Sequence, residues 1–363
     1  MPNSKSASDK SQKQIESLRR KYIKSEFDIG RPVYFSQKWA EILSTTNVLN
    51  KSNILSKDEI SVMHTFDDFS KFFNYQTKLI SIDLSNWDTS NAERMGMMFC
   101  SCYNLQVLKL NNWDTSEVHN MQGMFWDCHR LKELDLSSFD TSKVNNMESM
   151  LHSCYDLTSL NVSSFNTSMV NNMRLMFACC EHLSELDLSN FDTSNVIDMF
   201  GMFDNCLRLK SLDLSSFNTS KATDISFMFN HCYYLDDLDL GNWGTSKVGN
   251  MECLFNGCES LSFLDLSSFD FSNTTNISEA FTGCTALTDL KFGKNLKKDI
   301  DLYDCPLSYD SALSVINGLA KVKEKQIVTF CEDTYDALSE EDLKLATDKN
   351  WVIYRAYNKE NIK

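Results

Sequence analysis

The chain has 363 residues and a net charge of −15, whereas nucleic-acid binders cluster cations against phosphates, so no nucleic-acid partner is expected. Its 11 glycines and 3 prolines are too few for the turns of an ordinary β-sandwich. Its 13 cysteines are an odd number at modest density, which argues against a fully paired disulfide framework.

The N-terminal part of the chain divides into a tail and a cap. Residues 1–25 are rich in Lys, Ser and Gln, and we predict a disordered basic tail. This start lacks the apolar core of a secretory signal, and no stretch reaches the length of a transmembrane helix. Helical spacing over 58–73, after a capping box at 56–59, predicts that residues 26–78 form a helical cap.

Residues 79–286 contain a strict internal repeat. An aromatic residue followed by a tripeptide resembling Asp-Thr-Ser recurs every 26 residues at Trp87, Trp113, Phe139, Phe165, Phe191, Phe217, Trp243 and Phe269. A cysteine recurs with the same period at Cys102, Cys128, Cys154, Cys180, Cys206, Cys232, Cys258 and Cys284. Two columns with one period predict a repeat architecture.

One repeat unit, residues 131–156, shows how a coil is built. The alternation of Leu134 and Leu136 predicts a short strand with one buried face. Asp140 and Thr141 can satisfy backbone groups at the corner, where other proteins use glycine. One coil could not bury its apolar side chains alone, but stacked coils could. We therefore predict an α/β repeat solenoid of about eight coils with a parallel strand ladder and terminal caps.

The period decays after the eighth repeat, and residues 287–363 are predicted to hold a repeat remnant and a small α/β cap. Polar start signals predict helices over 308–319 and from Ser339 onward. Residues 327–330 and 351–354 are predicted strands. This segment is too short for a separate catalytic domain.

Acidic side chains occupy an outward position of the predicted strands. The column reads Asp83, Lys109, Asp135, Asn161, Asp187, Asp213, Asp239 and Asp265. It indicates either a recognition face for a basic partner or a cation site, and the alternative is a solvated surface. A linear row of carboxylates does not place 6–8 oxygen ligands around one calcium ion, so no metal site and no cofactor is predicted.

Three tyrosines beside the cysteine column are the second group of candidates, because aromatic residues are enriched at interfaces. The alternative is that they are ordinary scattered surface aromatics. The candidate ligand-binding residues are therefore Asp135, Asp187, Asp213, Asp239, Asp265, Tyr103, Tyr155 and Tyr233.

The cysteine column has one structural interpretation and two functional ones. It is predicted to be a row of inward thiols, although neighbouring Cα atoms would lie within disulfide range. A zinc site lacks a second ligand pair, and a Cys–His nucleophile would need a side chain that faces outward. No catalytic residue is predicted, and the protein is not expected to be an enzyme.

The repeat unit LDLSxFDTSxVxNMxxMFxxCxxL resembles the bacterial BspA-like leucine-rich repeat over 79–286. The resemblance implies a leucine-rich-repeat superhelix. It also implies a surface or extracellular protein that binds host or matrix proteins and other bacteria; similar repeats occur in some protozoa and phages. The expected function is thus non-catalytic protein binding or adhesion, toward a protein or glycan-bearing partner, through the strand side. The alternative is a structural or receptor-binding component of a phage particle or other assembly, with a virion or cytoplasmic location.

Overall fold

The structure is a computed structural model that describes residues 48–49 and 66–356. The chain forms a parallel β-solenoid of about 11 turns with few helices. The predicted tail, 1–25, and most of the predicted cap, 26–78, lie outside the described residues. In the described part of the chain, no helix is long and apolar enough to span a membrane.

Short parallel strands form one side of the solenoid. They are β1 (Val48–Leu49), β2 (Ser81–Asp83), β3 (Val107–Lys109), β4 (Glu133–Asp135), β5 (Ser159–Asn161), β6 (Ser211–Leu212), β7 (Asp237–Leu238), β8 (Phe263–Asp265) and β9 (Asp289–Lys291). From β2 to β9, paired strands are offset by one repeat, so that Leu134 lies opposite Leu160 and Leu264 opposite Leu290. The central leucine points inward and its two neighbours point outward, as the alternation predicts.

A corner ladder of Asp and Asn residues runs parallel to the strands. Isolated parallel bridges join Asp68, Arg94, Asn120, Asn146, Asn172, Asp198, Asp224, Asn250 and Asn276. The Oδ1 atom of Asn120 accepts a bond of 2.8 Å from the N–H of Gln122, and Asn146 does the same for Glu148 at 3.0 Å. The Oδ1 atoms therefore close turns within their own coil, while the Nδ2 groups of Asn172, Asn250 and Asn276 bond to side chains of the preceding coil.

A third side of each coil is built from alternating backbone conformations. The N–H of Phe99 donates to the carbonyl of Met124 in the next coil at 2.8 Å, while Met98 donates within its coil to Met95 at 3.3 Å. Met97 and Ser101 adopt positive φ angles of 56° and 60°. Non-glycine residues in the left-handed region, held by bonds between coils, explain how the corners form with so little glycine.

The core is a set of side-chain columns parallel to the solenoid axis. Phe177, Phe203 and Phe229 stack with ring centroids 5.7 and 5.8 Å apart. Trp243 stacks on Phe269 in the aromatic column of the repeat, 6.2 Å apart. These rings are at most 1% exposed. Since each coil covers the next, the core is continuous from end to end.

The first described coil corrects the predicted helix over 58–73. Residues 66–73 form turns instead of a helix, and the Phe73 N–H donates to the Met98 carbonyl at 2.8 Å. Phe73 also stacks on Phe99 at 5.3 Å, as one repeat does on the next. The solenoid therefore extends N-terminal to the first repeat that the aromatic and cysteine columns reveal.

A small α/β unit follows the repeats. It contains β10 (Ile300–Leu302), α1 (Tyr309–Gly318), β11 (Gln326–Phe330), α2 (Glu332–Asp336), α3 (Glu340–Thr347) and β12 (Trp351–Arg355). The three strands form a parallel sheet in the order β10, β11, β12. Ser308 caps α1, and Ser339 and Asp342 form a capping box on α3, which explains why both helices begin where the sequence predicts. The sequence did not reveal β10 or α2.

Candidate functional site

The outward-facing side chains of the strand side, here called the strand face, contain the predicted acidic residues. Asp135, Asp187, Asp213 and Asp239 are exposed and Asp265 is half-buried. They recur at one position of the repeat: Asp135 and Asp265 end β4 and β8, Asp213 and Asp239 directly follow β6 and β7, and Asp187 stands at the same position of a coil without a strand. Lys109 and Asn161 occupy this position in two other coils. The charge of Asp213 acts on the carboxyl of Asp187, as expected for neighbours in a ladder.

Each aspartate of this column is fixed by a turn. Asp187 and Asp213 accept backbone N–H bonds of 3.0 Å from Ser189 and Ser215. The N–H and hydroxyl of Ser189 hold the pKa of Asp187 below its usual value, and the hydroxyl and N–H of Ser215 do the same for Asp213. The carboxylates therefore remain ionised and point in a defined direction. Their structural role was missed, although the recurring D-x-S spacing indicates it.

A second acidic column adds to the strand face. Two residues before the first column stand Glu133, Glu185 and Asp237, all exposed, with Ser159 and Ser211 at the intervening positions. Phe263 follows in the same column and is 47% exposed. The sequence interpretation considered only the last strand position and so missed this column. Together the two columns place at least one carboxylate on every coil from Glu133 to Asp239, except the coil that carries Ser159 and Asn161.

The acidic face ends at a cation. Lys291 of β9 donates to Asp265 Oδ2 at 2.8 Å and lies 5.4 Å from the ring centre of Phe263. Among the residues that the structure describes, no group of three or more His, Cys, Asp or Glu could hold a metal ion. What this face offers is a spaced row of negative charges.

The predicted tyrosines lie in the turn before each strand rather than on it. Tyr103 and Tyr155 both contact His129, with ring centroids 4.8 and 4.6 Å apart, and all three rings are half-buried. Tyr233 lies three coils beyond Tyr155 and contacts His231 of its own coil, with ring centroids 5.5 Å apart. The structure thus brings Tyr103 and Tyr155 together around an unanticipated histidine and leaves Tyr233 apart.

The cysteine column forms a thiol ladder. Cys206 donates to the Phe177 carbonyl at 3.2 Å, and Cys232 donates to the Phe203 carbonyl at 3.3 Å. All 13 cysteines are free. Burial raises the pKa of Cys102 and Cys154 to about 12. A buried, protonated thiol that donates to a carbonyl is a structural group, unlike the exposed thiolate that a nucleophile requires.

Thiol labelling should report this ladder. In the folded protein, iodoacetamide should modify Cys331 first, because only Cys179 and Cys331 are less than fully buried. Burial, and then the charge of Asp204, raise the pKa of the Cys179 thiol to about 11, so this residue should react more slowly. In urea all 13 should react, as counted by mass spectrometry. Modification of Cys206 as fast as Cys331 in the folded protein would contradict the ladder.

The fold and its strand face define a repeat protein of the parallel β-solenoid class. Three segments of the chain, residues 67–186, 152–239 and 180–292, match the family described as "Mycoplasma protein of unknown function, DUF285". These segments cover more than half of the chain, and the protein belongs to this family. No curated protein matches the sequence.

Proposed function

We propose that this protein is a non-catalytic binding module that recognises a positively charged protein partner through its strand face. The observation that carries the proposal is the double column of exposed carboxylates, each placed by the coil repeat. Fixed charges of one sign steer an oppositely charged partner and suppress wrong ones. The rigid core beneath them means that little ordering is needed on binding.

The spacing of the charges favours a helical partner. Coils lie about 4.8 Å apart along the ladder, whereas a helix presents one residue per turn about every 5.4 Å. Across four coils the mismatch is about 2 Å, which a lysine side chain can absorb. An extended strand presents alternate residues about every 6.8 Å and drifts by about 6 Å over the same distance. A basic helix laid along the solenoid axis is therefore the proposed ligand.

The repeat class and the location are part of the same proposal. We assign the coils to the BspA-like leucine-rich-repeat type because Leu131, Leu134 and Leu136 keep the L-x-x-L-x-L spacing and are all buried. Adhesion at the cell surface follows from that resemblance. The exposed charged face supports this location, because it would be accessible to a partner outside the cell.

Neutralising part of the acidic face should weaken binding of a basic amphipathic helical peptide. The variant Asp187→Asn/Asp213→Asn/Asp239→Asn removes three charges but retains the Oδ1 acceptors that close the turns. Asn161 already makes the equivalent bond to Ser163, at 3.1 Å. Three exposed charge pairs are worth together about 1.4 kcal/mol, so the dissociation constant at low salt should rise about tenfold. Titration calorimetry measures it.

A matched control removes the same three charges elsewhere. Asp114→Asn/Asp140→Asn/Asp192→Asn changes exposed corner residues, where Asn166 occupies the same position and bonds to Ser168 at 3.1 Å. This control should retain the affinity. Equal weakening by both variants, or no weakening by the first, would show that the strand face is not the binding site.

A further inference from the structure

A groove of about 800 Å³ lies at the C-terminal edge of the α/β unit. Its lining includes residues that directly follow the three parallel strands: Tyr303 after β10, Cys331 after β11 and Ala356 after β12. The space beyond the carboxyl ends of parallel strands is where α/β sheets commonly bind ligands. The volume also falls in the range of small-molecule sites. This region, called here the C-terminal groove, is distinct from the strand face.

The described lining of the C-terminal groove is rich in acidic side chains. Asp301, Asp304, Glu332 and Asp333 line it, and none of the lining residues in the described part of the chain is Lys or Arg. Three of these carboxylates have partners: Asp304 accepts the Gly283 N–H at 2.8 Å, Asp301 Oδ1 accepts the Tyr303 N–H at 3.2 Å, and Glu332 pairs with Arg355. Within the described chain, Asp301 and Asp333 form no salt bridge.

One wall of the groove suits an organic cation. The ring of Tyr303 is 39% exposed, and Pro306 adds apolar surface. Asp301 is exposed, yet partial desolvation raises the pKa of its carboxyl; the bond from the Tyr303 N–H opposes this rise and the nearby charge of Asp304 adds to it. The described carboxylates do not converge as a metal-ligand group. An ammonium group on an alkyl chain satisfies both the carboxylates and the aromatic wall.

We propose that the C-terminal groove binds an alkylammonium group, presented by a free diamine or by a lysine side chain. The ammonium hydrogens bond to the carboxylates of Asp301 and Asp333, and the alkyl chain lies against Tyr303 and Pro306. The hydroxyl of Thr329, which is in register with Asp301, lies on the same lining. The size of the groove leaves room for a chain longer than a single ammonium ion.

Titration calorimetry with the full chain tests the proposal. The probes are 1,4-diaminobutane, the peptide acetyl-Gly-Lys-Gly-amide and the uncharged 1,4-butanediol. The diamine or the peptide should bind and the diol should not, and the tighter of the two cations identifies the source of the ammonium group. Asp301→Asn/Asp333→Asn should weaken that binding about tenfold or more, since charged hydrogen bonds are lost.

Two further variants separate recognition from bulk attraction. Asp348→Asn removes an exposed charge of the same unit outside the groove lining and should leave the affinity unchanged. Tyr303→Leu should weaken binding severalfold, whereas Tyr303→Phe should retain it because the aromatic face remains. The proposal fails if neither cation binds, if the diol binds equally well, or if the Asp301→Asn/Asp333→Asn protein binds like the Asp348→Asn protein.

Discussion

Replacing Phe203 with alanine is expected to lower the free energy of unfolding by about 3–5 kcal/mol. Phe203 has no exposed surface, and its ring is stacked between Phe177 and Phe229 at 5.7 and 5.8 Å. The substitution removes burial and leaves a cavity bordered by two other coils. Coils contact only their neighbours in a solenoid, so a defect in the middle weakens two interfaces at once. Urea denaturation followed by circular dichroism measures the loss.

Phe263→Ala is the matched control for this prediction. Phe263 lies on the strand face, where it is 47% exposed beside Lys291. The same chemical change at this position should cost less than about 1 kcal/mol. Equal losses at the two positions would mean that the aromatic columns do not form the core.

Thr193→Val is expected to destabilise the protein by about 2 kcal/mol, although valine has nearly the same shape. The buried hydroxyl of Thr193 accepts the Asn218 N–H at 2.7 Å and donates to the Asn218 carbonyl at 3.2 Å. Valine removes both bonds and leaves the backbone of the next coil without its partner. Thermal or urea unfolding of the variant gives the difference in stability.

Thr223→Val provides the comparison for that hydroxyl. Thr223 is exposed and donates to the Ile197 carbonyl at 3.3 Å, where water can replace the lost bond. The cost there should stay below about 0.5 kcal/mol. If Thr193→Val proved as harmless as Thr223→Val, the bonds between the threonine and the next coil would not stabilise the stack.

The repeat could be predicted because identical side chains must occur in register for coils to stack. The first described coil was missed because it lacks the aromatic and cysteine columns. Its signal was present in another column: Asp68 and Phe73 stand 26 residues before Arg94 and Phe99, which they contact. The corners were predictable in composition, but the positive φ angles of residues such as Met97 depend on bonds between coils.

The candidate site, too, could be predicted from the sequence only in part. Alternation along a strand predicts that Asp187 and Asp213 face outward, and they do. Their turn-closing bonds and the contact of Tyr103 and Tyr155 with His129 depend on three-dimensional placement. The C-terminal groove could not be predicted, since Thr285, Asp301 and Thr329 lie in different elements that only the fold assembles.

The central claim is that coils stack in register and so turn a sequence repeat into one continuous face. Ser211 and Asp237 are register partners in adjacent coils, whereas Phe263 lies one coil further on. Adjacent strand positions are about 4.8 Å apart, within disulfide range, and positions two coils apart are at about 9.6 Å, outside it. Mild oxidation should therefore cross-link the Ser211→Cys/Asp237→Cys protein, as measured by mass spectrometry of its peptides. The Ser211→Cys/Phe263→Cys protein should remain reduced at these positions. Cross-linking of the second pair, or failure of the first, would contradict the in-register solenoid.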